Sequence, residues 1–114
     1  MPIDRSKYRE VWVELDDGQA LCALINGESG WLMYLRECGD PGFSSRNPDY
    51  DGPPDAEQDY YLNNGQRDSY PLAWALPIGE VQRALDYFER EQEPPSFITW
   101  HNDSGDGTMI VENG

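Results

Sequence analysis

Basic residues are scarce in this chain: eight Lys and Arg stand against 22 Asp and Glu, for a formal net charge of -14. Such a surface repels phosphate, which argues against nucleic acid as a ligand. Long apolar runs are missing as well. No stretch of about 18 apolar residues exists to span a membrane. The first residues, MPIDRSKYRE, lack the apolar centre of a signal peptide, so a cytoplasmic protein is expected. Cysteine occurs twice, as Cys22 and Cys38, in neither a CxxC nor a metal spacing. With no export signal, both are expected as free, reduced thiols.

The elements of common active sites are also thin. His101 is the single histidine, and no GxSxG or similar signature supplies it with a nucleophile. There is no phosphate-binding loop, no dinucleotide fingerprint and no HExxH pair. Gly39, Gly42, Gly105 and Gly107 lie in acidic segments, the wrong electrostatics for cradling phosphate. Asp49, Asp51, Asp55 and Asp59 invite a calcium reading. A calcium loop, however, needs glycine at its sixth position and glutamate at its twelfth. Here Gly52 falls at the fourth, counting from Asp49, and two prolines follow. No metal, no cofactor and no catalytic activity are expected.

What is present is a pattern of strands and one helix. At 114 residues the chain is read as one domain, 1–114, large enough to bury roughly two-thirds of its unfolded surface. Val81, Ala84, Leu85 and Phe88 recur at helical spacing within Leu76–Trp100. Pro77 suits a helix start, and Pro94 and Pro95 stop it. Phe97–Trp100 then supplies a short strand.

Upstream, Val11, Val13 and Leu15 alternate with Trp12, Glu14 and Asp16. Asp17-Gly18 marks a tight turn, and strands follow at Ala20–Ile25 and Gly30–Leu35. Trp12 falls on the polar face, to be covered by the helix, by a second copy or by a partner. Met1–Arg9 reads as a lead-in. Arg36–Ala56 shows no apolar period and reads as a long loop. Tyr60–Leu62 and Ser69–Leu76 flank an Asn64-Gly65 hairpin turn, with Pro71 near a sheet edge. Thr108–Val111 is a weak final strand. The expected fold is α+β: a mostly antiparallel, twisted sheet of five or six strands with one main helix on one face.

The stretch richest in binding chemistry is Asp40–Tyr60, with six acids, one base and the aromatics Phe43, Tyr50 and Tyr60. Rigid aromatic anchors with charged neighbours suit a protein interface. Candidate contacts are Asp49, Tyr50, Asp51, Asp55 and Asp59, with Phe43 and Tyr60 beside them. Glu89, Glu91 and Glu93 crowd the helix C-terminus, where the macrodipole is already negative. Both features fit a cationic partner.

Leu76-Pro77-Ile78, Ala84-Leu85-Asp86-Tyr87-Phe88, and Pro95 followed five residues later by Trp100 resemble the C-terminal signature of an immunity-protein family. It is the first-numbered such family of bacterial polymorphic-toxin systems. The Asp17-Gly18 turn and the Gly30-Trp31 strand start are similar to it too. Members often carry glycine three residues before the proline, where this chain has Gln92. The resemblance implies a cytosolic antitoxin that binds and blocks a cognate toxin domain. Several partners of the family are nucleic-acid deaminases, which use a zinc-activated water and an electropositive groove. Pro77, Ala84, Phe88, Pro95 and Trp100 read as fold-bearing, not as toxin contacts. Outside the resemblance, a small acidic enzyme using loop carboxylates and a general protein-binding adaptor are the alternative readings.

Overall fold

The computed structural model describes residues 7–110. Three strands, β1 (Tyr8–Glu14), β2 (Ala20–Asn26) and β3 (Ser29–Leu35), form the antiparallel meander that alternation predicts. Gly18 takes a φ of 98° in the first turn, a conformation open to glycine at no steric cost. The remaining elements are β4 (Phe43–Arg46), β5 (Glu57–Tyr61), β6 (Arg67–Pro71), a 3-10 turn at Leu72–Trp74, β7 (Leu76–Pro77), α1 (Ile78–Glu91) and β8 (Thr99–Asn102). The main sheet has six strands in the order β1-β2-β3-β4-β8, with β7 paired to the start of β3. All its pairings are antiparallel. The β5-β6 hairpin is a separate two-stranded sheet. This is the expected α+β architecture.

Alternation along β2 organises the interior. Leu21, Ala23 and Ile25 point to α1, where Val81, Ala84, Leu85 and Phe88 meet them in one core with Leu32, Tyr34, Phe43 and Ile98. Cys22 and Leu24 point the other way, into a smaller core with Trp31 and Tyr60 against Leu62, Tyr70 and Trp74. A strand buried on both faces reads as a near-continuous apolar run, as ALCALI does. Gly30 lets the helix approach: a Cβ there would lie 2.9 Å from the Leu24 carbonyl and 3.2 Å from Val81 Cγ2.

The structure corrects several boundaries. β1 starts at Tyr8, inside the expected lead-in, of which Met1–Ser6 lies outside the described residues. β4 interrupts the expected Arg36–Ala56 loop. Its serines hide it from any apolar period. Yet Ser45 is fully buried, and its Oγ accepts the Leu32 N–H at 3.0 Å while its hydroxyl donates to the Trp74 carbonyl at 3.0 Å. Buried polar groups with partners hold a strand as well as apolar ones do.

The Ser69–Leu76 strand divides. β6 ends at Pro71, the turn follows, and β7 leaves the hairpin to pair with β3. Both hairpin strands are edges, as the missing donor of Pro71 requires. The last strand among the described residues is Thr99–Asn102, after the chain turns at Pro95, whose carbonyl accepts from Ile98 N–H and from Trp100 Nε1. Thr108–Ile110 is irregular, and Val111 lies outside the described residues.

Candidate functional site

The acidic loop, residues 47–56, is folded upon itself. Asn47 N–H donates to the Ala73 carbonyl at 2.9 Å, anchoring the loop to the 3-10 turn. The Asn47 side chain accepts the Asp49 N–H at 3.0 Å, an Asx turn. Tyr50 closes the loop by donating its hydroxyl to the Pro53 carbonyl at 2.7 Å, and its ring covers Gly52. Asp49, Asp51 and Asp55 are exposed on this scaffold, whereas Tyr50 is half-buried against it. Asp49 also borders a groove with Arg46, Glu80 and Phe97 beside the start of α1.

The remaining candidates lie elsewhere. Asp59 is exposed on the outer face of β5, where its carboxylate accepts the Ser69 hydroxyl. Phe43 and Tyr60 are corrections: each is 1 % exposed, so neither is a surface anchor. Phe43 lies in the core under the helix and Tyr60 in the core under the hairpin, on opposite sides of the sheet. Composition flagged both as aromatics among acids, but only tertiary packing tells an aromatic anchor from a core residue.

Two arginines, Arg36 and Arg46, are committed to the protein's own structure. Arg36 donates to Asp40 at 2.8 Å and to Asp106 at 2.7 Å. Hydrogen bonding from Arg36 holds the Asp40 carboxyl well below its ordinary range. The Thr108 N–H, the Asn102 side chain and Arg36 do the same for Asp106. Arg46 lies 3.8 Å over the Trp74 ring and donates to Ser44 Oγ and the Ser45 carbonyl. Burial lowers its pKa below the usual arginine value. Among the described residues, no Lys, Arg or His forms an ion pair with Asp49, Asp51, Asp55 or Asp59. Among the described residues, then, nothing basic has to be displaced before these carboxylates meet an external cation.

Among the described residues, no three His, Cys, Asp or Glu gather as a metal ion would need. His101 is exposed beside Asp103, with Nε2 3.6 Å from the carboxylate. Its register partner Ser44 is buried, and that hydroxyl oxygen already accepts from Arg46. No described helix is long and apolar enough to cross a membrane.

A second surface stands out at the other end of the sheet. Trp12 is 41 % exposed and lies on the side away from α1, so the helix does not cover it. It borders a shallow groove with Glu14, Ala20, Leu35, Glu37 and Cys38. Spacing alone places Trp12 on the polar face of its strand. No pattern in the sequence links it to Leu35 and Cys38, which follow the next two turns.

A search of curated proteins finds no match to this chain. The sequence profile of the family described as Immunity protein Imm1, by contrast, matches residues 4–102. That span includes every strand from β1 to β8 and the whole of α1. The signature residues fall within it: Pro77 stands at the N-terminal boundary of α1, Ala84 and Phe88 are fully buried, and Trp100 donates to the Pro95 carbonyl at 2.8 Å. An immunity protein binds a cognate toxin, and this chain belongs to the Imm1 family of immunity proteins.

Proposed function

We propose that this protein neutralises a cationic toxin domain that acts on nucleic acid, a deaminase, by occupying the groove that would hold the substrate. The observation that carries the reading is the unpaired acidic surface. A net charge of -14 is combined with exposed carboxylates that no cation of the chain neutralises among the described residues. A deaminase must hold a polyanion beside its zinc-activated water. An acidic inhibitor competes for the same Lys and Arg that bind phosphate, and its field speeds encounter.

Inhibition in this reading is stoichiometric and non-catalytic, and takes place in the cytoplasm with the chain acting as a single domain. Asp49, Asp51, Asp55 and Asp59 pair with groove cations while Tyr50 keeps the loop in shape. Phe43 and Tyr60 act only indirectly, by fixing β4 and β5 at either end of the loop.

The test is co-expression with the toxin domain encoded beside this chain's gene, followed by co-purification and a growth assay. A one-to-one complex with rescued growth is expected. Binding should weaken as salt rises, since exposed charges are screened over roughly 8–10 Å at physiological ionic strength. Two proteins that elute separately, or a toxin with no action on nucleic acid, would refute the assignment.

A further inference from the structure

The register divides the sheet face opposite α1 into rows: Tyr8–Asn26–Ser29, Glu10–Leu24–Trp31, Trp12–Cys22–Met33 and Glu14–Ala20–Leu35. The hairpin covers only part of this face. Gln58 reaches Ser29, Tyr61 packs on Tyr8, Asn63 N–H donates to Glu10, and Tyr70 stacks on Trp31 at 4.2 Å. Trp12 and the last row lie beyond it, where the groove with Glu37 and Cys38 opens. The Trp12 indole is held in place, because its Nε1–H donates to Glu10 Oε2 at 2.7 Å. A large aromatic fixed in one orientation loses little entropy when a partner lands on it.

Charge selects the occupant. Among the described residues, the groove's charged lining is Glu14 and Glu37, with no Lys or Arg, and Glu10 stands one row away. A second copy of this chain would bring a like-charged rim of a molecule that carries -14. A cationic surface is attracted instead. We propose that this open end is a toxin-docking surface with Trp12 as its anchor. It takes an Arg or Lys of the toxin whose stem lies on the indole and whose head meets Glu14 or Glu37, flanked by apolar side chains against Ala20 and Leu35. Cation–π contact and carboxylate pairing act together at such a site. The inference rests on the inhibitor reading and names a contact region within it that is separate from the acidic loop.

Cys38 supplies a reporter, being exposed at the groove while Cys22 is buried. The experiment uses the full chain and a catalytically inactive form of the toxin domain encoded next to it. Calorimetry gives the Kd of wild type, Trp12→Ala, Trp12→Phe and the Glu14→Gln/Glu37→Gln pair, and iodoacetamide gives the labelling rate of Cys38 with and without toxin. Trp12→Ala should weaken binding roughly 30-fold or more, the scale of an interface hot spot. Trp12→Phe should lose less. The glutamine pair should slow association and flatten its salt dependence. Bound toxin should slow Cys38 labelling, and melting curves confirm that each variant is folded.

Wild-type binding with Trp12→Ala within about threefold of it, and Cys38 labelled at the free rate, overturns the groove and leaves the inhibitor reading standing. Self-association abolished by Trp12→Ala would overturn it in favour of a second copy. Failure of wild type to bind at all brings down the inhibitor reading, and the groove with it.

Discussion

The two faces of the sheet are covered in different ways. On one side α1 lays Val81, Ala84, Leu85 and Phe88 across β2 and β3, and β4 and β8 extend that core with Phe43 and flanking Trp100. On the other a short ribbon brings Tyr70, and the 3-10 turn after it brings Trp74, to stack with Trp31 beside Cys22 and Leu24, and the ribbon stops before Trp12. The helix side is nearly closed and its main side chains are fully buried. The hairpin side is aromatic and half open, and Trp31 Nε1 is buried there with no protein partner among the described residues. One face is committed to stability, whereas the other retains apolar surface that folding alone does not use. Exposed apolar surface rimmed by polar groups is a common mark of an interaction site.

Substitutions on the two faces should therefore separate. The largest effect is expected at Phe88, 0 % exposed under the sheet. Phe88→Ala should destabilise by about 3–5 kcal/mol, the range for deleting a buried aromatic, as read by urea denaturation. Tyr70→Ala on the hairpin side should cost less, roughly 1–3 kcal/mol, because the site is half-buried and can collapse. It should also expose Cys22, whose thiol pKa burial pushes up to about 12, so that a second thiol becomes reactive under native conditions. Equal losses at both positions with no new Cys22 labelling would erase the asymmetry.

The end of α1 offers a smaller, opposite effect. Gln92 sits at φ 58°, the left-handed conformation that favours glycine, and its N–H closes the helix on the Phe88 carbonyl at 2.9 Å. Gln92→Gly should raise stability by about 1 kcal/mol, since the side chain is strained there, visible as a higher Tm. No gain would mean that the left-handed conformation costs Gln92 little at this position, since the backbone contact from Gln19 to the residue 92 carbonyl is the same in both proteins.

Acid should act through the Arg36 cluster. Asp40 and Asp106 have folded pKa values below their unfolded ones. The stability they contribute is therefore present above the unfolded carboxylate value of about 4 and is lost as pH falls below it. Asp40→Asn should flatten the fall in stability between pH 6 and pH 3, measured as the shift in urea midpoint. An unchanged slope would assign the acid sensitivity to other carboxylates. The smallest change in stability is expected at Trp12: Trp12→Ala should stay within about 0.5 kcal/mol of wild type, as for an exposed site. A larger loss would show that Trp12 serves the fold and weaken its case as a docking residue.

Most of the architecture was legible in the residues. Period-two alternation and the Asp17-Gly18 turn located β1 and β2, and the stripe from Val81 to Phe88 between Pro77 and the Pro94-Pro95 pair located α1, because both signals are local consequences of backbone geometry. The family signature was legible for the same reason, since Pro77, Phe88, Pro95 and Trp100 act within one helix and its return. β4 was not legible: Ser45 is a strand residue because partners far away in sequence, the Leu32 N–H and the Trp74 carbonyl, satisfy its hydroxyl. Among the candidate contacts, the exposure of Asp49, Asp51, Asp55 and Asp59 followed from their charge, while the burial of Phe43 and Tyr60 did not follow from composition.

By itself, then, the sequence determined the fold class, the family and the acidic field, since each depends on residue type and short-range spacing. Only the tertiary structure decided that a hairpin leaves the main sheet and covers half of its second face. It alone decided that Trp12, Leu35 and Cys38 meet at the uncovered end, because contacts between residues distant in the chain are set by packing, which no local period records.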